Sequence, residues 1–177
     1  KSYVGDPRPI YDPSIKDLFK LLNANNYQKG GWVLHMLRHL MGDQRFFDGV
    51  RDYYRTHRDR NALTTDFQRV MEFHAGRPMD WFFKQWVYQS GHPVYRATWR
   101  WDEAAKELRV RLVQEQATLF QMPLDLEIKV GDKTRREVVQ VNERDQNFKF
   151  KLGAQPQAVS IDPGEWVLKV LTLEQER

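Results

Sequence analysis

The hydrophobic period of this chain switches from helical to two at Pro93, and the two halves cannot belong to one continuous layer of structure. Before Pro93, apolar residues recur every three to four positions between clear stop signals. After it, apolar and polar residues alternate in short runs separated by turn residues. The pattern predicts an α+β chain in two separate units, four to five helices over residues 1–93 and a small seven-stranded antiparallel β-sandwich over 94–177. Gly91-His92-Pro93 joins them.

In the first half, Val33, Met36, Leu37 and Leu40 predict a helix over Tyr27 to Met41, with Asn25 or Asn26 as its N-cap and Gly42 past its end. Asp43 is placed to cap the next helix, whose stripe is Phe46, Val50, Tyr53 and His57, with Phe47 and Tyr54 beside it. The short Gly42-Asp43 link makes these two helices antiparallel neighbours. Thr65 and Gln68 form a capping-box pattern ahead of Phe67, Val70, Met71 and His74, and Gly76 ends that helix. Asp80 opens a fourth, Trp81 to Val87, closed by Gly91 and Pro93. A further helix is expected over Pro13 to Leu22, anchored by Leu18 and Phe19.

In the second half, Tyr95-Ala97-Trp99-Trp101 and Met122 through Val130 alternate most clearly. Leu108-Val110-Leu112, Val139-Val141, Phe148-Phe150-Leu152, Val159-Ile161 and Val167 to Leu173 complete the seven strands. No internal repeat or low-complexity segment interrupts them.

With 28 Lys and Arg against 24 Asp and Glu, the chain carries a formal charge of +4. That excess lies wholly before Val94, where basic residues outnumber acidic by 14 to 10; the second half has 14 of each. No run approaches the ~20 apolar residues of a membrane-spanning helix, and the start has no signal-peptide core. The absence of cysteine excludes disulfide scaffolds and thiolate metal sites. The first residue is Lys1 rather than Met, so a processed or excised chain is expected, and location in the cell is left open.

Five histidines are the obvious metal candidates, and His35 and His39 stand four apart, as two zinc ligands on one helix do. The position after the first is Met36 rather than Glu, and no carboxylate nearby supplies a third ligand, so the pair reads as part of a polar helix face with Arg38. His57, His74 and His92 are isolated and read the same way. Tyr53 to Arg60 mixes aromatic and basic residues as single-strand nucleic-acid surfaces do. Its aromatics fall on or beside the buried stripe and its arginines at a helix C-terminus, where positive charge is favoured, so no nucleic-acid partner is expected. No phosphate loop, nucleophile elbow or Ser/His/Asp spacing is present. Tyr27, at the start of the clearest helix, reads on physics alone as a packing residue.

A resemblance changes that reading. Tyr27-Gln28-Lys29-Gly30, running into Val33 to Arg38 and Met41-Gly42-Asp43, looks like the Tyr-x-Lys-Gly helix of the aminopeptidase N family of zinc metallopeptidases. Asn61-Ala62 with Thr64-Thr65-Asp66-Phe67 resembles the family's Thr-x-Asp-Phe helix start. Trp81-Phe82-Phe83 with Trp86-Val87, Gln89, Gly91 and Pro93 resembles its Phe-Phe…Trp-Val-x-Gln-x-Gly-x-Pro close. The likeness covers about Arg8 to Pro93, and the strands beyond resemble the family's small β-sandwich domain. Gln28 stands where many relatives have Glu.

The resemblance implies the end of a zinc aminopeptidase catalytic domain over 1–93, a helical remnant, and a β-sandwich domain over 94–177. Tyr27 is then the inherited catalytic residue, its hydroxyl donating to the oxyanion formed when zinc-activated water attacks the scissile carbonyl. The family's His-Glu-x-x-His, its later Glu and its Gly-x-Met-Glu-Asn stretch are not in the chain, so no metal or cofactor-binding residue is assigned. The chain alone is expected to be inactive, to pair with the missing N-terminal half of the protein and to self-associate through exposed apolar surface. A non-catalytic protein-binding module on the same scaffold is the alternative.

Overall fold

Four glycine- and aspartate-marked helix ends organise the first half of the molecule. The computed structural model describes residues 8–176 and divides between Gly91 and His92 into a helical and a β unit. Residues 1–7, Arg177 and the side chain of Leu18 lie outside the described set. The helical unit contains α1 (Gly30–Met41), α2 (Asp43–His57), α3 (Thr64–Ala75) and α4 (Asp80–Trp86).

α1 buries Val33, Met36, Leu37 and Met41, one helical stripe. Gly42, at φ +78°, closes α1 by donating its amide to Arg38 O at 2.8 Å and opens α2 by accepting from Phe46 N at 3.0 Å. Gly42 thus takes the capping position expected of Asp43, which falls in the first turn instead, where negative charge suits the helix dipole. The Asp43 carboxylate accepts Arg38 Nε and Nη2 at 2.8 and 2.7 Å, tying the two helices across the turn. That hydrogen bonding holds the Asp43 carboxyl below its ordinary range.

Gly49 sets the α2–α3 crossing. A Cβ there would stand 2.7 Å from Sδ of the fully buried Met71. The contact line therefore runs through Phe46, Gly49 and Tyr53, and Phe47 and Tyr54 fall outside it, Tyr54 at 65% exposure. α3 is capped at Leu63, two residues before the expected Thr65, because the Asp66 carboxylate reaches back to accept the Leu63 amide at 2.9 Å. Gln68 donates to Glu72 instead of capping, and Glu72 accepts the Met79 amide at 2.8 Å. Gly76 ends α3 at φ +68°. The short α4 buries Phe82, Phe83, Gln85 and Trp86.

The helix expected over Pro13 to Leu22 is a single 3₁₀ turn, Leu18–Leu21, capped by Asp17 on the Phe19 amide at 3.0 Å. Leu22 leaves the helical region at ψ 74°, and Phe19 is 82% exposed rather than an anchor.

The β unit has seven strands: β1 (Val94–Asp102), β2 (Glu107–Gln114), β3 (Met122–Val130), β4 (Lys133–Val141), β5 (Asp145–Lys151), β6 (Ala158–Ile161) and β7 (Val170–Gln175). They form two sheets, ordered β5-β2-β1-β7 and β4-β3-β6. Alternation puts Tyr95, Ala97 and Trp99 of β1 and Leu124, Leu126 and Ile128 of β3 into the core. β4 reaches β5 through Arg135, which donates Nη1 to Lys151 O and lies over the Phe150 ring.

Four strand pairings are antiparallel as expected, but β1 and β7 run parallel, Val94 beside Val170 through Trp99 beside Gln175. The cause is the connection from β6, which leaves the other sheet and returns β7 alongside β1. Asp162, at φ +51°, holds that connection: its carboxylate accepts the amides of Trp166 and Val167 at 2.9 Å each and the ammonium of Lys169. Asp162 itself is tied to Asp125 O. The loop after β2 depends similarly on buried Gln114, whose amide group bonds Phe120 N, Phe120 O, Glu143 O and Gln116 Nε2.

Asp162→Ala removes the acceptor of two amides and strands the nearly buried Lys169, and breaking such a pair from one side costs about 3–5 kcal/mol. Urea denaturation should show a loss of this size, with Asp162→Asn falling between it and the parent. A loss within a few tenths of a kcal/mol for both would show that the connection does not rest on this carboxylate.

Candidate functional site

Tyr27 stands on one wide turn of helix. Asn25–Lys29 form a π-turn leading directly into α1, with the Gly30 amide reaching back to Asn25 O. Such turns insert one extra residue per turn and redirect the side chains they carry.

Three polar side chains hold the turn. Asn23 Oδ1 accepts the amides of Asn25 and Asn26 at 2.9 and 3.2 Å, so the cap is Asn23 rather than Asn25 or Asn26. Asn23 wins because its backbone lies just outside the helix, where a side-chain oxygen can meet the first free amides. Asn25 is instead buried and donates to Arg8 O at 2.8 Å. Lys29 is fully buried and its ammonium donates to Gln89 O at 3.2 Å.

That last bond joins the Tyr-x-Lys-Gly stretch to the Gln-x-Gly stretch 60 residues on. The sequence reading gave Lys29 no role. Its signal was its position on the apolar stripe, four residues before Val33 and a full turn before the buried core of α1.

With Asn25 and Lys29 of the same turn buried, Tyr27 projects outward at 64% exposure. It borders an open hollow of about 410 Å³, together with Gln28, Gly31, Trp32 and His35. Trp32 and His35 meet edge to face at 5.6 Å. The floor is widened by Gly31, where a Cβ would meet nothing within 4 Å. The lining offers a phenol, an indole N–H, an imidazole and a carboxamide, and no carboxylate, so it can hydrogen-bond a polar group placed beside Tyr27.

His35 and His39 share α1, and no group of three or more His, Asp or Glu able to hold a metal ion occurs among the described residues. These residues do not fit a zinc site. His57 stacks against Tyr53 at 5.0 Å, and Tyr53 meets Phe67 at 5.1 Å. His74 is not a solvated histidine as expected: its Nε2 lies 3.1 Å from Asp52 Oδ2 across the α2–α3 crossing, because Gly49 brings the helices close there. His74 borders a second hollow of about 690 Å³ lined also by Asp48, Val50, Arg51, Tyr54 and Arg55. Among the described residues no helix is long and apolar enough to cross a membrane.

The chain is similar in sequence and fold to known proteins. The model of the Peptidase family M1 domain matches residues 8–86. "Probable aminopeptidase 2" of Sulfurisphaera tokodaii is 26% identical over 130 residues, 69% of this chain and 16% of that protein. "Aminopeptidase N" of Lactococcus lactis subsp. lactis is 32% identical over 71 residues, 40% of this chain and 8% of that protein. "Aminopeptidase M1" of Arabidopsis thaliana is 30% identical over 81 residues, 46% and 9% respectively. The chain therefore spans less than a fifth of the length of these curated relatives.

The crystal structure of Legionella pneumophila aminopeptidase A in complex with aspartic acid superposes with a TM-score of 0.81. It covers 94% of this chain and 20% of that one at 15% identity, a likeness of fold. Residues 8–86, with the π-turn and Tyr27 inside them, are the stretch of this chain that is similar to the Peptidase family M1 domain.

Proposed function

We propose that this chain is the C-terminal part of an aminopeptidase that removes N-terminal residues from peptides, with Tyr27 as its transition-state hydrogen-bond donor. Residues 1–93 are read as the end of the catalytic domain and 94–177 as the β-sandwich domain that follows it. The observation carrying the reading is an exposed phenol on a turn anchored by the hydrogen bonds of Asn23, Asn25 and Lys29. Packing does not account for a tyrosine left 64% exposed on so well anchored a turn.

In this reading the substrate carbonyl lies beside Tyr27 Oη. The hydroxyl donates to the oxygen as negative charge develops on it, and the rigid turn fixes the donor before the reaction begins. The zinc of this family activates water, a task for which the described residues offer no ligand set, so the chain alone is inactive. Peptide substrates and the remaining part of the protein are its partners.

The test is Tyr27→Phe in the longest natural form of the protein. Removing one oxyanion donor lowers kcat by about 10²–10³, while loss of the hydroxyl from a residue 64% exposed leaves the melting temperature unchanged. Unaltered kcat, or lost stability without lost activity, would leave the second reading, a protein-binding module on a peptidase scaffold.

Asn23→Ala tests the support of the turn. Loss of the cap should destabilise the chain by about 1 kcal/mol in chemical denaturation, whereas Asn26→Ala, which leaves the Asn23 cap in place, should change it by only a few tenths.

A further inference from the structure

The β unit carries no net charge as a whole, yet strand register sorts its charges into rows on the outer face of the β5-β2-β1-β7 sheet. Thr98 of β1, Arg111 of β2 and Asn147 of β5 lie directly opposite one another, with Glu174 of β7 ending the row beside Thr98. The next row outward on the same face is Arg100, Arg109 and Lys149. The six side chains other than Glu174 all donate hydrogen bonds, and four are cations. Like charges directly opposite across strands destabilise a sheet, so folding alone disfavours the second row.

Acidic residues flank the block and orient it. Arg109 gives Nε to Glu107 and Nη2 to Asp102, both at 2.9 Å. Arg111 gives Nε and Nη2 to Asp145. Both guanidiniums are thus fixed while each Nη1 makes no hydrogen bond among the described residues. Arg100 makes no hydrogen bond and no ion-pair contact within 4.0 Å among the described residues, and its charge acts on Asp102 from farther away. These groups border a hollow of about 200 Å³ lined by Thr98, Arg100, Arg109, Arg111, Asn147 and Glu176. Glu176 is the one acceptor-only side chain in that lining.

We infer that this hollow binds a small oxyanion of the phosphate class. Fixed guanidinium edges match the spacing of its oxygens, and Thr98 and Asn147 add neutral donors. Free phosphate, pyrophosphate and a phosphorylated lipid headgroup share this chemistry. The site is separate from Tyr27 and does not rest on the peptidase reading.

The test is titration of the full chain with inorganic pyrophosphate at constant ionic strength, followed by backbone amide NMR shifts. Saturable shifts confined to β1, β2 and β5 are expected. Arg100→Gln should weaken binding about tenfold or more, as loss of one charge-assisted contact does. Glu176→Gln should tighten it, because a carboxylate bordering the anion is removed. Arg136→Gln, on exposed β4 of the other sheet, should leave it unchanged. Shifts that fail to saturate, or that respond alike to Arg100→Gln and Arg136→Gln, would overturn the proposal.

Sedimentation with phosphatidylcholine vesicles, with and without phosphatidate, separates the sources. Phosphatidate-dependent binding displaced by pyrophosphate supports a headgroup ligand, and pyrophosphate binding without vesicle binding supports a free anion. Vesicle binding indifferent to both pyrophosphate and Arg100→Gln overturns the site.

Discussion

A lysine ammonium buried to 0% exposure is the constraint around which the helical unit is arranged. Taking such a charge from water costs several kcal/mol unless it is hydrogen-bonded. Lys29 meets Gln89 O, so the start of α1 and the segment after α4 must come together for the charge to be tolerated. This one requirement fixes where the π-turn sits. Asn23 and Asn25 then settle the local backbone, and Tyr27 is left facing an open hollow.

The elements themselves were legible because they follow from period. Alternation located all seven strands, and i, i+3, i+4 spacing located the four α-helices, each with at least one end marked by Gly or Asp. Interactions with a partner distant in sequence were not legible. The parallel β1–β7 pair depends on a connection organised by Asp162, and strand pattern alone does not encode direction. The segment around Phe19 has helical spacing but only one capped turn, because Asp17 can satisfy a single tight turn without a helix to follow. Tyr54 shows the same limit: its place off the contact line is set by Gly49 against Met71 on another helix.

At the site, the residue types were readable and their supports were not. Tyr27 stood out through its resemblance to a known motif, whereas Lys29 entered only as the lysine of that motif and Asn23 was not singled out. The charge pattern misled in a second way. Counting charges along the β half gives equal numbers of each sign, but a sheet displays every second residue on one face and aligns neighbours across strands. A linear tally averages away the rows that this creates.

The π-turn has a consequence for how the chain tolerates length change. A π-turn is in effect a helix carrying one surplus residue, and removing one residue between Asn25 and Lys29 would restore the ordinary winding. The wider turn advances less per residue than an α-helix does, so the surplus residue is absorbed and the segments on either side keep nearly the same facing. Asn25 toward Arg8 and Lys29 toward Gln89 would stay close to their present directions, and what would be lost is the outward bulge that presents Tyr27. The turn is therefore a removable step in the helix: the fold can do without its extra residue, and the exposed phenol cannot.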